Sequence, residues 1–360
     1  MSSGISIKEL LEGVEVEWII LGDEKFVNVA NSGRKPVKAA LRIPGNIPYY
    51  GANNIQDYVE GFTHDGEYVL IAEDGSASLE NYSIQYTNGK FWANNHIHVV
   101  SGKETLNTRF LYHYLCIVNF TPYLTGGVRA KLTKGQMIKV PIPIPPLHVQ
   151  NEIVKTLDNF TELTAELIAE LIARKKQYSY YRDKLLTFKD GEVEFKPLGE
   201  VAVIGTGRHD TQDAIIDGKY IFYARGKKPL KLDSYDFEET AIITAGDGVG
   251  VGKVFHWVTG KYALHQRAYR IVPNTEVKAR FIYHYIVSNF YSYVEKTSVS
   301  SSVTSLRKPM FLKFKIPIPP LEEQERIVSI LDKFDTLTNS ISEGLPKEIK
   351  LRQQQYEYYR

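Results

Sequence analysis

Two long stretches of the chain space their apolar residues by three and four positions, as an amphipathic helix or coiled-coil strand does. The first stretch runs from Leu147 to Leu186 and carries Ile153, Leu157, Phe160, Leu163, Leu167, Leu171 and Tyr178. The second starts at Leu321 and is interrupted by Gly344-Leu345-Pro346, where we expect a kink or two separate helices. Two apolar stripes in one chain most simply bury against each other, and a partner's helix is the alternative.

Each helical stretch follows a proline-rich segment that reads IPIPPL, at residues 142–147 and again at residues 316–321. Closely spaced prolines exclude helix and favour an extended strap. Before each strap, short β-like runs alternate with turn signals. EYVLIA (67–72) precedes Asp74-Gly75, TAIIT (240–244) precedes Asp247-Gly248, and Asn88-Gly89 gives a further turn signal. The chain therefore mixes β-rich domains with helical regions.

The chain contains an internal sequence repeat with two copies. QNEIV (150–154) corresponds to QERIV (324–328), RFLYHYL (109–115) to RFIYHYI (280–286), and QYSYYR (177–182) to QYEYYR (355–360). The first copy continues into DKLL (183–186) and GEVEF (191–195), and the matching KELL (8–11) and GVEVEW (13–18) lie at the N-terminus. A second copy completed by the N-terminus predicts that the two termini meet in a closed, pseudo-two-fold arrangement.

These boundaries predict an α+β fold with two pseudo-symmetric mixed α/β domains, joined by two long antiparallel, coiled-coil-like helical regions in a circular arrangement. Residues 1–15 would be an N-terminal helix that completes the second repeat. The two mixed domains would be residues 16–146 and 191–320, and the helical spacer regions residues 147–190 and 321–360.

Composition adds little until it is divided by domain. The chain has 360 residues and a net charge of +2, from 44 basic and 42 acidic residues. Residues 16–146 carry 12 Lys/Arg against 11 Asp/Glu, and residues 191–320 carry 18 against 13. A single cysteine excludes an intrachain disulfide and a cysteine-based zinc site. No signal-peptide pattern opens the chain and no apolar run reaches the ~20 residues of a membrane span, so we expect a cytoplasmic protein.

The patterns that carry enzyme chemistry are missing from this sequence. The Asn/Asp-Pro-Pro-Tyr/Phe motif of adenine methyltransferases is absent, and AGDGVGVGK (245–253) fails the spacing of a phosphate loop. His96 and His98 alternate on a predicted strand, which puts both on one face without a third metal ligand. His113 and His284 occupy equivalent positions of the repeat, which favours a packing or hydrogen-bonding role. The sequence supports no catalytic and no metal site.

With these features, the chain resembles the specificity subunit of bacterial type I restriction–modification systems. The duplicated strap (KIPIPPLEEQ at 315–324 and KVPIPIPPLHVQ at 139–150), LDKF (331–334) and the QYEYYR/QYSYYR pair are similar to that family. TELTAELIAELIARKKQY (161–178) looks like the tetrapeptide repeat of one subgroup. The resemblance extends over the whole chain.

The resemblance implies a non-catalytic DNA reader. Each mixed domain would be a target-recognition domain for one half of a bipartite, asymmetric site in double-stranded DNA, and the helices would fix the half-site spacing. Two methyltransferase subunits would dock on this framework and two translocase–nuclease subunits would join. S-adenosylmethionine, ATP and Mg would belong to those partners, with no cofactor in this chain.

Candidate DNA-contacting residues are hydrogen-bonding or basic side chains on exposed, turn-rich loops at corresponding places of the two copies. The first copy contributes Arg34, Lys35, Tyr49, Tyr50, Asn53, Asn54, Trp92, Asn94, Asn95, His96, Thr125, Arg129 and Lys131. The second contributes Arg208, His209, Arg225, Lys227, Lys228, His265, Gln266, Arg267, Ser300, Ser302 and Arg307. The copies differ most in these segments, as expected if they read different half-sites. Solvated loops without a ligand are the alternative.

Two other functions fit the same sequence. One is a scaffold that binds partner proteins through its paired helices and does not read DNA, which the modest net charge suits. The other is the recognition subunit of a related restriction system that cuts on both sides of its site.

Overall fold

The computed structural model describes residues 7–127, 130–189, 191–297 and 305–359, and these form two compact units. The first unit comprises the described residues of Met1–Ile168 and of Ile349–Arg360. The second unit comprises the described residues of Ala169–Glu348. The N-terminal and C-terminal segments thus belong to the same unit.

The described residues of the first unit contain eight strands and three short helices. One long helix follows them and continues along the chain beyond Ile168, where the first segment of this unit ends. These are α1 (Ile7–Leu11), β1 (Glu17–Ile20), β2 (Val27–Val29), β3 (Pro44–Gly51), β4 (Asn54–Val59), β5 (His64–Ala72), β6 (Ile84–Ala93), β7 (Ile97–Gly102), α2 (Thr108–Leu115), α3 (Lys134–Met137), β8 (Pro141–Ile144) and α4 (Leu147–Leu185). Single 3-10 turns occur at Asn31–Gly33, Ala39–Leu41 and Thr121–Tyr123.

The second unit repeats the succession of strands. Its elements are β9 (Glu194–Pro197), α5 (Leu198–Val201), β10 (Ala202–Thr206), β11 (Tyr220–Tyr223), β12 (Leu230–Leu232), β13 (Phe237–Ala245), β14 (Phe255–Leu264), β15 (Ala268–Pro273), α6 (Ala279–Thr297), α7 (Lys308–Lys313), β16 (Lys315–Ile318) and α8 (Leu321–Asn339). The last helix, α9 (Leu345–Tyr359), ends in the first unit. Single 3-10 turns occur at Thr211–Asp213 and Gly248–Gly250.

The two units share one sheet topology. The strand order is β2-β7-β5-β6-β3-β4 in the first and β10-β15-β13-β14-β11-β12 in the second. In each sheet a single neighbouring pair is parallel, β3 with β6 and β11 with β14, and every other neighbouring pair is antiparallel. The fold class is α+β with two pseudo-symmetric mixed domains, as the repeat predicts.

One turn prediction is wrong. Asn88 and Gly89 lie inside β6, where Gly89 pairs with Gly66 of β5. Both glycines have a positive φ, of 96° and 132°, so they let the two strands bend together without ending them. The chain instead turns back between Ala72 and Ile84.

The proline-rich straps form edge strands. Among the described residues, β8 pairs only with β1 and β16 only with β9, in two-stranded antiparallel sheets that tolerate proline. Directly after each strap a buried glutamine fastens the start of the helix. Gln150 Nε2 donates to the Pro145 carbonyl at 2.7 Å, and Gln324 Nε2 donates to the Pro319 carbonyl at 2.8 Å.

The predicted helices are present. α4 is one 39-residue helix, and the break at Gly344 separates α8 from α9. Phe160 stacks on Tyr359 at 5.3 Å in the first unit, and the equivalent Phe334 stacks on Tyr181 at 5.7 Å in the second. Leu163 departs from the predicted buried stripe, since 43% of its side chain is exposed.

Each unit encloses its own apolar core. In the first, Leu111, Leu115 and Ile153 belong to a buried cluster against which residues of α1 pack, as do Tyr356 and Tyr359 of α9. In the second, residues of α6 and α7 cover one face of the sheet, with Phe290 and Phe311 stacked at 4.8 Å. The loops of each sheet are therefore supported by a packed apolar core.

Candidate nucleic-acid interface

In the second unit, the candidate loops lie next to one another at one end of the sheet. The backbone N–H of Gln266, between β14 and β15, donates to the carbonyl of His209 in the loop after β10, at 2.9 Å. Gly246, just after β13, donates its N–H to the carbonyl of Arg267 at 2.8 Å and accepts from the N–H of Leu306 at 2.7 Å. Segments far apart in sequence thus form one continuous surface.

Carboxylates hold the basic side chains of this surface. Asp236 is nearly buried and lies 3.2 Å from Arg208 Nε and 3.3 Å from His209 Nε2. Asp210 accepts a hydrogen bond of 2.8 Å from Gln266 Nε2. Asp236 therefore holds Arg208 at Nε of its guanidinium group, while most of the side chain is exposed to solvent.

Asp247 bridges two arginines. Its two oxygens accept hydrogen bonds from Arg225 Nη1 at 3.0 Å and from Arg267 Nη1 at 3.1 Å. Partial burial works to raise the pKa of the Asp247 carboxyl, but the hydrogen bonds from both guanidinium groups outweigh it and hold that pKa below its ordinary value. Asp247 is therefore ionised at neutral pH.

The first unit brings its loops together through the same backbone contacts. Glu73, just after β5, donates its N–H to the carbonyl of His96 at 2.8 Å and accepts from the N–H of Leu132 at 2.7 Å. The N–H of Lys35 donates to the carbonyl of Ala93 at 2.9 Å. The two surfaces are thus built on the same hydrogen-bonding plan with different side chains.

Glu73 is the centre of an ion-pair cluster with no counterpart in the second unit, where Gly246 takes its place. Its carboxylate accepts from Arg34 Nη1 at 2.6 Å and lies 3.0 Å from Lys131 Nζ. Burial works to raise the pKa of Glu73, but the hydrogen bonds from these two cations prevail and lower it. Arg34 also donates to the Ile97 carbonyl at 2.8 Å, so it holds the loops together.

His96 and His98 do not share a face. His98 is buried on β7, where its Nε2 donates to the Leu132 carbonyl at 2.7 Å and its Nδ1 lies 2.9 Å from Asn31 Nδ2. Asn31 Oδ1 accepts from the N–H of Val99 at 2.9 Å, which fixes the amide with its NH₂ group towards the ring. Burial lowers the pKa of His98, so the ring is neutral. His96 precedes β7, is half exposed, and pairs with Asp74 at 2.6 Å.

Four candidates are buried, so the prediction that they are exposed loop residues is wrong for them. The exposed fractions are 1% for Tyr49, 8% for Tyr50, 3% for Asn94 and 1% for His265. Asn94 and His265 support equivalent loops from inside: Asn94 Oδ1 accepts from the N–H of His96 at 2.8 Å, and His265 Nδ1 accepts from the N–H of Arg267 at 2.9 Å. These side chains shape the loops and are not presented to a ligand.

The other described candidates reach the surface. Those that are exposed are Lys35, Asn53, Asn54, Asn95, His96, Thr125, Arg208, Lys227, Lys228, Gln266, Arg267 and Arg307. Those that are half-buried are Arg34, Trp92, Lys131, His209 and Arg225. Arg129, Ser300 and Ser302 lie outside the described residues. Trp92 donates its indole N–H to the Lys35 carbonyl at 2.6 Å, and Asn53 donates to the Gly75 carbonyl at 2.7 Å, so both also hold their loops.

A second repeated feature joins the helix after each sheet to the long helices. In the second unit, Asp332 of α8 accepts from Arg280 Nε and from His284 Nε2 of α6, both at 2.7 Å. Burial lowers the pKa of His284, against the raising effect of Asp332.

The first unit repeats this contact. Asp158 of α4 accepts from Arg109 Nε at 2.9 Å and from His113 Nε2 at 2.8 Å. The hydrogen-bonding role predicted for the two equivalent histidines is confirmed.

Similarity to known proteins decides which family these features belong to. The profile of a family described as type I restriction modification DNA specificity domain matches residues 17–174 and again residues 190–351. The chain belongs to this DNA specificity family.

Full-length relatives of this specificity chain are known. A Haemophilus influenzae protein with a provisional type I specificity-subunit name is 48% identical, over 98% of this chain and 96% of its own length. The specificity subunit of the Escherichia coli EcoR124I/EcoR124II type I restriction enzyme is 32% identical, over 100% and 96%. The specificity chain is a DNA-recognition subunit of a type I restriction–modification complex.

Solved structures share the fold of the specificity chain. The crystal structure of a type I restriction–modification S subunit from M. genitalium aligns with a TM-score of 0.68 over 98% of both chains, at 14% identity. A chain from a structure on complex assembly and conformational transition of the type I system aligns with a TM-score of 0.53, over 96% of this chain and 97% of its own length, at 17% identity.

The acidic residues of the specificity chain's candidate surface were not predicted from the sequence. Asp74, Asp236 and Asp247 each hold one or more of the candidate cations, yet carboxylates do not suggest contact with an anionic polymer. The duplicated Asp-Gly at 74–75 and 247–248 was the available signal. Within the described ranges, no helix of this chain is long and apolar enough to cross a membrane.

Proposed function

We propose that the chain is non-catalytic and that each unit reads one half of a bipartite, asymmetric DNA site. The observation that supports this most strongly is the pairing of one framework with two sets of side chains. The sheet order is the same in both units, and so are the loop-to-loop backbone hydrogen bonds made by Glu73 and Gly246. The exposed side chains at equivalent places differ, with His96 in the first unit where the second has Arg267.

The long helices would set the distance between the half-sites and receive two methyltransferase subunits. The 39-residue helix α4 supports this, because a continuous helix has a fixed length of ~1.5 Å per residue. The methyltransferases would use S-adenosylmethionine, and two translocase–nuclease subunits would use ATP and Mg. Because the substrate is the bacterial genome, we place the chain in the cytoplasm.

A methylome tests this function. The chain is co-expressed with the methyltransferase of its own restriction system in a host without such methylation, and N6-methyladenine is mapped by single-molecule sequencing. We expect a bipartite motif with a fixed spacer that disappears when the chain is omitted. Methylation that does not depend on the chain would contradict the proposal and favour a scaffold.

Binding of the assembled methyltransferase to duplex DNA gives a second test, with a matched pair of variants. Lys227 and Lys228 are exposed beside the second unit's loops, whereas Lys175 and Lys176 are exposed on α4. If the loops face the phosphates, the Lys227→Ala/Lys228→Ala variant reduces the slope of log affinity against log salt by about two. The Lys175→Ala/Lys176→Ala control leaves that slope unchanged. Equal slopes in all three proteins would place DNA elsewhere.

A further inference from the structure

The same position, shortly after the third strand in each sheet order, carries an aspartate that holds the tip of the neighbouring loop. In the second unit, Asp247 follows β13 and holds Arg267, and in the first unit Asp74 follows β5 and holds His96. The carboxylate is common to the two units, while the basic side chain that it holds differs. A shared carboxylate with an exchanged partner indicates that the aspartate positions that partner.

The second unit's arrangement leaves most donors of two guanidinium groups available. Arg225 and Arg267 each give one Nη1 hydrogen bond to Asp247, and no other hydrogen bond of their side chains occurs among the described residues. Arg267 is 63% exposed and Arg225 is 41% exposed. One carboxylate between two guanidinium groups leaves a net positive charge with both groups held in place.

The first unit presents a different set of donors from the same place. Asp74 Oδ1 lies 2.6 Å from His96 Nδ1, and its other oxygen lies 4.0 Å from Lys131 Nζ. A histidine ring nitrogen and an ammonium group each donate from a single nitrogen atom, without the planar fork of arginine. The two units therefore present different hydrogen-bonding patterns from equivalent positions.

We propose that Asp247 and Asp74 are positioning residues for base reading, and that the Asp247-held pair of Arg225 and Arg267 reads guanine in the second unit's half-site. This inference rests on the proposed function. An arginine fork matches the O6 and N7 acceptors of guanine in the major groove. Holding the fork before DNA arrives removes side-chain freedom that binding would otherwise remove.

The carboxylate itself favours a base edge over a phosphate. An aspartate next to the DNA backbone is repelled by the phosphate charge. At a base pair, an oxygen of the Asp247 carboxylate accepts from the N4 amino group of cytosine, the partner of the guanine that arginine reads. A phosphate-binding pair of arginines would have this repulsion to overcome at Asp247.

Isosteric substitutions in the full complex test the inference. Asp247→Asn keeps the shape of the side chain and removes its charge, and Asp74→Asn is the matched change in the other unit. Each variant is co-expressed with the methyltransferase, and the methylome is mapped together with the thermal unfolding midpoint. We expect Asp247→Asn to reduce discrimination at one guanine of one half-site by about tenfold. Asp74→Asn should relax the other half-site and leave that guanine intact.

Arg267→Lys separates base reading from charge. It keeps the positive charge and removes the fork, so it should relax the same guanine position as Asp247→Asn. A half-site without guanine, an unchanged motif in Asp247→Asn, or equal loss at both half-sites in either variant would overturn the inference. Failure of the wild-type chain to direct any bipartite methylation would instead contradict the proposed function.

Discussion

Deleting Thr164-Ala165-Glu166-Leu167 from the middle of α4 should shorten the DNA spacer and leave both half-sites unchanged. Four helical residues at ~1.5 Å each remove ~6 Å of length. At ~3.4 Å per base pair, this corresponds to a spacer shorter by about one or two base pairs. The deletion thus separates the distance between half-sites from the reading of each half-site.

The helix tolerates this deletion because its sequence repeats every four residues. Residues 164–167 read TAEL and residues 168–171 read IAEL, so the deletion brings an almost identical segment into the same place. Four residues turn the helix by about 400°, which leaves the following residues only ~40° from their former direction. The Phe160–Tyr359 stack lies before the deletion and the Tyr178–Phe334 stack lies after it.

The assay is the methylome of the co-expressed complex, with two companion variants. After the deletion, Ile168 follows Leu163 in the place of Thr164. Thr164→Ile makes this sequence change without shortening the helix, so its DNA spacer should match that of the wild type. Duplication of residues 164–167 should lengthen the spacer by the amount that the deletion removes. A deletion variant that still methylates with the original spacer would refute the idea that α4 sets the distance.

Three further predictions concern stability. Asp332→Ala should cost about 1–3 kcal/mol of unfolding free energy, because the buried His284 Nε2–H loses its acceptor, and chemical denaturation measures this against the wild type. Folding lowers the pKa of His98, so below pH ~6.5 this residue binds fewer protons in the folded chain than in the unfolded chain. Its contribution to stability is therefore full above that pH and is lost as the pH falls. As the pH falls, the thermal unfolding midpoint should decline less steeply in His98→Gln than in the wild type. Gly207→Ala should destabilise by about 1–3 kcal/mol, since its Cβ would lie 1.8 Å from a backbone oxygen, whereas Gly135→Ala meets no atom within 4 Å and should leave the midpoint unchanged.

The architecture could be predicted because its signals are local or repeated. The three-and-four spacing predicts α4, Gly344 with Pro346 predicts the break before α9, and the duplicated strap reveals two equivalent units. These features depend on backbone propensity and on comparison of the chain with itself, which a sequence contains in full.

The candidate site could be predicted only as a set of segments. Tyr50 and Asn94 stand in turn-rich, polar stretches, yet parallel pairing of β3 with β6 turns them inward. Arg34 could not be separated from a free cation, because its partner Glu73 is 39 positions away in sequence. Which loop residues are exposed is decided by contacts between loops, and one sequence does not show these.

Assignment of the last residues of α9 to the first unit has a consequence for synthesis on the ribosome. The second unit is one continuous segment, so all of its chain has been made before residue 349 is added. The first unit lacks its later helical segment, including Tyr356 and Tyr359, until the residues after 348 have been added. The unit that is begun first is therefore completed after the other, and nascent chains that stall before residue 349 carry an unfinished apolar surface for chaperones to cover.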